Sequence, residues 1–153
     1  MRGLELRVPP LVVALVAALL MWAAARAAPD LSVDVPARAG LALALAVVGA
    51  FVAVAGVLEF RRARTTVNPL NPDATSALVV TGVYRISRNP MYLGLAIVLL
   101  AGAAYLSHAL APLGVAAFAA YIHRFQILPE ERALRALFPG DFKEYAGQVR
   151  RWL

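Results

Sequence analysis

Residues 40–58 read GLALALAVVGAFVAVAGVL, an apolar run without a single charge. A helix needs roughly 20 residues, at ~1.5 Å each, to cross ~30 Å of hydrocarbon. A run of this kind therefore reads as a membrane span. Toward the N-terminus, residues 11–25 (LVVALVAALLMWAAA) make a span of the same character. Toward the C-terminus a third runs from Pro90 or Met91 to about Ser107, and a fourth from about Ala109 to Ile122. The chain reads as an all-α integral membrane protein of about four transmembrane helices, with short cytoplasmic helices after the last. Spans one, three and four are short, so local thinning or extension into the interface is expected. The first span has a rival reading. Arg2, Arg7, the apolar core and Ala25-Arg26-Ala27 resemble a cleavable signal peptide. An uncleaved helix fits the topology better.

Composition agrees. The chain has 153 residues, enough for one domain, and is 61% hydrophobic. Its 16% of charged residues would not clothe a soluble domain of this size. There is no cysteine, hence no disulfide framework and no thiolate metal site. The net charge is +6, and every basic residue except Lys143 is an arginine. The arginines sit beside apolar spans, where anionic lipid headgroups attract them, so they do not point to nucleic acid.

Arginine placement also sets direction. With the N-terminus inside, all basic residues but Arg26 and Arg38 fall in inner segments, a positive-inside pattern. Both termini and the loop from Phe60 to Asn89 are then cytoplasmic, and a bacterial inner membrane is the expected location. The outer turn at Ser107 and His108 is short enough to make spans three and four an antiparallel hairpin. Asn68-Pro69 and Asn71-Pro72 break any helix in the inner loop. Residues Leu78 to Val80 read as a short extended segment before a turn at Thr81-Gly82. Pro129 reads as opening a helix from Glu130 to about Phe138, which Pro139-Gly140 ends. A last short helix holding Phe142, Tyr145 and Trp152 reads as an interfacial belt.

Two inner segments hold most of the polar and aromatic residues: Leu78 to Gly94 (LVVTGVYRISRNPMYLG) and Arg124 to Tyr145 (RFQILPEERALRALFPGDFKEY). They lie at one membrane face and can meet over the ends of spans three and four. Asn89 suits an N-cap and Pro90 a first helical position. The free N–H groups and positive dipole end there suit a carboxylate or phosphate. Arg85 and Arg88 stand beside it, and Tyr84 and Tyr92 offer ring faces to a cation. The plainer reading is a membrane-entry turn with interfacial tyrosines. Glu130 and Glu131 follow the fourth span directly, where carboxylates need partners or solvent. The plainer reading again is a favourable first helical turn, with Arg135 paired to Glu131 four residues on. His108 and His123 have no second ligand at a metal-binding spacing and read as interfacial, so no metal site is expected. No phosphate-binding glycine loop or nucleophile elbow is present.

Together these segments resemble the isoprenylcysteine carboxyl methyltransferase family, with the related phospholipid methyltransferases. Its members show Leu-Val-x-x-Gly-x-Tyr, then Arg-His-Pro-x-Tyr-x-Gly opening a helix, a helical hairpin, Glu-Glu-x-x-Leu, and Phe-Gly-x-x-Tyr-x-x-Tyr. The matching residues are Leu78-Val79, Gly82, Tyr84, Arg88 to Gly94, Glu130-Glu131, Leu134, Phe138, Phe142 and Tyr145. The resemblance implies one methyltransferase domain over 1–153, with two N-terminal spans in 10–59 and a cofactor-binding core with the hairpin over 78–151. It implies S-adenosyl-L-methionine as cofactor. Ser76, Ala77, Leu78, Val79, Tyr84, Asn89, Pro90, Met91, Tyr92 and Glu130 would surround it. It implies a lipophilic or lipid acceptor taken from the bilayer, first a prenylcysteine-like or other lipidic carboxylate, alternatively an ethanolamine headgroup.

Two departures bear on the acceptor. The family histidine before the proline is Asn89. The arginine found four residues before the cofactor glutamate in eukaryotic members is Gln126, with Arg124 half a turn earlier. Arg124, Gln126 and Glu131 are the candidates for positioning the acceptor. A noncatalytic scaffold or transporter subunit is the alternative from another class. Transporters place polar features at mid-membrane, whereas these spans carry no central charge.

Overall fold

The computed structural model describes residues 5–63 and 77–153. Ser76 and the two Asn-Pro pairs lie outside the described residues. Among those described, six α-helices follow one another: α1 (Pro10–Ala27), α2 (Arg38–Arg62), α3 (Pro90–Leu106), α4 (Ala111–Ile122), α5 (Leu128–Leu137) and α6 (Pro139–Gln148). Short 3-10 turns occupy Pro29–Leu31 and Gly82–Arg85. No strand forms among the described residues. Leu78 to Val80, expected as extended backbone, has no partner strand and leads straight into the 3-10 turn.

Helices α1 and α2 are long and apolar enough to cross a bilayer. Their outward faces are consistent with lipid: Leu15, Leu20, Leu43 and Phe51 are exposed. Helix α3 is apolar but shorter, at 17 residues, and α4 has 12.

The bundle is held by small residues. Helix α2 packs along α3 more extensively than any other pair. Its buried Ala42, Gly49 and Gly56 recur every seventh residue and form one seam. A methyl group on Gly94 of α3 would stand 2.5 Å from the Gly49 carbonyl oxygen and 2.6 Å from the Ala53 nitrogen. Only glycine allows that approach, the usual way apolar helices gain contact in lipid. Helix α1 joins through Met21, 2% exposed and seated against Gly114 of α4. It is thus a structural member of the bundle.

The α1–α2 and α3–α4 connections are tied together by backbone bonds. Val33 N–H donates to Ser107 O (2.8 Å) and Ala109 N–H to Leu31 O (3.0 Å). His108, expected at the interface, is buried in this knot. Its Nδ1 accepts from the Leu110 N–H (3.3 Å), which leaves Nε2–H to donate to the Ala28 carbonyl (2.8 Å).

The opposite end of the bundle departs from the expectation of a separate helix opening at Pro129. Helix α4 runs on through a π-helical turn, His123–Ile127, directly into α5. Pro129 has no N–H, and its ring crowds the carbonyl four residues back, at Phe125. Widening the turn relieves that crowding, and the Leu128 N–H reaches the His123 carbonyl instead. The Phe125 carbonyl that Pro129 cannot serve accepts from the Leu6 N–H (3.0 Å). The segment before α1 is therefore laid across the π turn. Helix α6 also differs from expectation: Phe142 and Tyr145 are buried against Val79 and Tyr84, and Trp152 packs on the bundle core.

Candidate functional site

The two polar segments meet at the N-terminal end of α3. Pro90 occupies the first turn of α3 and is fully buried. Asn89 stands at the N-cap position, but its side chain does not cap the helix. Its Nδ2 donates to the Arg151 carbonyl (2.8 Å), an acceptor supplied by the C-terminal tail. The first-turn N–H groups of α3 thus receive no side-chain cap of their own.

From α5, Glu130 comes back to this turn, and the Tyr92 hydroxyl donates to its carboxyl. Protein packed around Glu130 leaves it only partly accessible. Burial pushes its carboxyl up to about 8, the Tyr92 hydrogen bond opposes this, and the neighbouring Glu131 charge adds to it. A carboxyl held near neutrality in a packed pocket marks a functional candidate. The adjacent Glu131 has the opposite environment. Burial would raise its carboxyl, but the Arg151 hydrogen bonds and the charges of Arg88, Arg151 and Arg135 hold it below the usual range. Arg88 Nη2 reaches Glu131 Oε1 at 2.9 Å, and Arg151 grips both oxygens at 2.8 Å. The expected Arg135 partner is more distant, at 3.5 Å.

The loop before α3 folds over as a wall. Val79 and Tyr84 are buried, and Ala77 and Leu78 partly so. The Tyr145 hydroxyl donates to the Tyr84 carbonyl (2.7 Å), and Phe60 meets the Tyr84 ring edge-on at 5.4 Å. Burial, together with the Tyr145, Glu130 and Glu59 environments, raises the Tyr84 phenol above its ordinary value. Neither Tyr84 nor Tyr92 presents a free ring to solvent, being 4% and 5% exposed. What Tyr92 adds is its hydroxyl.

Two features were missed from sequence. Glu59, near the C-terminal end of α2, accepts from Thr81 Oγ1 and Arg62 Nη1, each at 2.6 Å. It presses on Gly82, whose φ of +56° and lack of Cβ make room for the carboxyl. This contact sets the wall loop on α2. The second is the segment Glu5 to Val8. Arg124 donates to Glu5 (2.9 Å), Arg132 pairs with the same carboxylate, and Gln126 Nε2 donates to the Val8 carbonyl (2.7 Å). The Arg124 hydrogen bond foremost holds Glu5 below the usual carboxylate range, against a smaller burial effect. Of these partners only Arg62 is near its carboxylate in sequence; Thr81 on Glu59, and Arg124 and Arg132 on Glu5, lie far away in the chain, which hides both features from a local reading. Of the acceptor-positioning candidates, Gln126 is wholly buried, Glu131 is saturated by arginines, and Arg124 keeps a 43% exposed side chain.

The phospholipid methyltransferase family model matches residues 37–141, which covers α2 through the first residues of α6. The chain belongs to the phospholipid methyltransferase family. This family is akin to the isoprenylcysteine carboxyl methyltransferases, so the resemblance read from the motifs holds. An uncharacterized protein of Haemophilus influenzae is 44% identical over 63 residues, which is 41% of this chain and all of that relative. No solved structure matches the chain. As a phospholipid methyltransferase family member with two helices long and apolar enough to span a bilayer, it is a membrane protein of the phospholipid or isoprenylcysteine methyltransferase type.

Proposed function

We propose that this protein transfers a methyl group from S-adenosylmethionine to a lipophilic acceptor at the inner face of a bacterial inner membrane. The carrying observation is the junction of Glu130 with Tyr92 at the uncapped first turn of α3. The residues fit the cofactor's groups. The N–H groups following Asn89 and Pro90 suit its carboxylate. Glu130 suits its ammonium or a ribose hydroxyl. The family resemblance adds Ser76 to Val79, Tyr84, Met91 and Tyr92 to the residues that would hold it. When bound, the group would supply a methyl already activated for displacement, leaving as a neutral thioether while the acceptor's lone pair takes the methyl carbon. The protein's own work is then to hold the reactants in line and keep water out. In this reading α3 crosses the membrane, as does α4 extended by its π turn, with both termini cytoplasmic. The arginine distribution supports that direction, and Glu5 and Arg151 lie at the same end of the bundle.

The Glu130 carboxyl gives this reading a pH signature. In the folded protein it keeps its proton to about 8, and its ordinary value is 4.5. The unfolded chain binds fewer protons between those values, so this group's contribution to stability falls as pH rises from about 4.5 to about 8. A ligand ammonium favours the ionised form and expels the proton. Affinity for S-adenosylhomocysteine is expected to rise with pH up to about 8, with proton release at pH 7. Calorimetry in buffers of different ionisation enthalpy measures that release. A pH-independent affinity without proton release would separate Glu130 from the ligand's ammonium.

A lipidic carboxylate is its own nucleophile and needs a cationic partner, for which Arg124 is the proposed residue, with Gln126 and Glu131 fixing its surroundings. Arg124→Ala is expected to lower turnover of an anionic acceptor and leave S-adenosylhomocysteine affinity nearly intact. Equal loss of both would assign Arg124 to the fold. The second reading is an ethanolamine headgroup, which must lose a proton before attack. The family assignment and a carboxyl poised near neutrality at Glu130 favour it. Parallel assays with phosphatidylethanolamine and a prenylcysteine separate the two.

A further inference from the structure

We propose that the C-terminal tail is a clasp that positions the site, with Arg151 as its central positioning residue. This rests on the cofactor reading above. Residues 150–153 belong to no helix, yet they bond to each of the three residues that precede α3. Arg88 N–H donates to the Arg150 carbonyl (3.0 Å), and Asn89 Nδ2 to the Arg151 carbonyl (2.8 Å). Ser87 Oγ donates to the same Arg151 carbonyl at 3.5 Å. In the other direction the Arg151 guanidinium forks onto Glu131 through Nε and Nη2, both at 2.8 Å. Arg88 closes the loop, donating to Glu131 (2.9 Å) and to the Ala146 carbonyl of α6 (3.1 Å). Trp152 anchors the tail on the bundle core.

Each end of this clasp is one residue from the proposed cofactor contacts. Asn89 adjoins Pro90, and Glu131 adjoins Glu130. Arg151 therefore joins Arg88 in fixing the spacing between the α3 start and α5. Half-buried ion clusters add little net stability, because desolvation offsets attraction. A forked arginine on a carboxylate is nonetheless strict about direction. The arrangement suits geometry better than it suits stability. By linkage, a tail that shapes the site is itself held more firmly when the site is filled.

The test uses the full chain in detergent: wild type, Arg151→Ala and the conservative Arg151→Lys. S-adenosylhomocysteine binding is measured by calorimetry, apo helicity and melting by circular dichroism, and trypsin cleavage after Arg150 with and without ligand. Arg151→Ala should raise Kd roughly tenfold, the scale of a typical coupling between linked sites. Arg151→Lys should raise it less, apo helicity should persist, and ligand should slow tail cleavage in wild type. Unchanged Kd in both variants, with or without a lower melting point, overturns the clasp and leaves Arg151 a structural residue. Cleavage indifferent to ligand does the same. If Arg151→Ala fails to fold, Arg151→Lys and the wild-type cleavage rates decide. Folded wild type that binds no S-adenosylhomocysteine overturns the cofactor reading itself, a result visible without any variant.

Discussion

Replacing Glu130 with alanine is expected to weaken S-adenosylhomocysteine binding by about 1.5–3 kcal/mol, the range for a hydrogen bond to a charged group. That is roughly a ten- to hundredfold rise in Kd. The loss should not come from unfolding. A carboxyl pushed up to about 8 by burial adds little to folding at neutral pH, so the variant should melt near wild type. Glu130→Gln sharpens the result. It keeps an acceptor for the Tyr92 hydroxyl but cannot ionise, so it should lose both the affinity and its rise with pH. Calorimetry on detergent-purified protein reads all three quantities. Affinity unchanged in both variants would remove Glu130 from the site.

Gly94→Val is expected to be the most damaging single change to the fold. A methyl there already meets the Gly49 carbonyl oxygen at 2.5 Å and the Ala53 nitrogen at 2.6 Å. Both obstacles are backbone, so no rotamer change relieves them. Overpacking a tight contact costs about 1–3 kcal/mol, more when backbones must separate. Because α2 also seats the wall loop through Glu59, parting α2 from α3 should weaken ligand binding as well as stability. The check is the half-life at elevated temperature in detergent, an operational measure for a protein that unfolds irreversibly. Gly147→Ala, with nothing within 4 Å, is the matched control. Equal half-lives for the two variants would mean that the α2–α3 contact is looser than the structure shows.

The helices were legible because their signals are local. Apolar runs and prolines placed α1, α2, α3 and α4 within a few residues, and the Asn89-Pro90 junction was found by its local chemistry. One contact between the two polar segments was legible as well. Glu130 and Tyr92 were named from motif order, and the structure brings them together. The rest depends on partners distant in sequence. Nothing near Glu5 announces Arg124, and nothing near Arg151 announces Glu131. Pro129 misled because a proline after the fourth span was read as opening a separate helix. The backbone instead widened by one residue, and the stranded carbonyl was served by Leu6. Phe142 and Tyr145 misled in the same way, since an aromatic spacing near a membrane does not say whether it faces lipid or the wall loop.

That widened turn makes the site a matter of phase. A regular α-helix advances about 100° per residue. The π turn at His123–Ile127 takes up one extra residue between α4 and the helix bearing Glu130 and Glu131. Drawing that turn into a regular α-helix at the same chain length would swing both carboxylates about a quarter of a circle, away from Tyr92, Arg88 and Arg151, whereas deleting the extra residue would leave their direction nearly unchanged. The bearing of the two carboxylates is thus set by the width of one backbone turn rather than by a side chain.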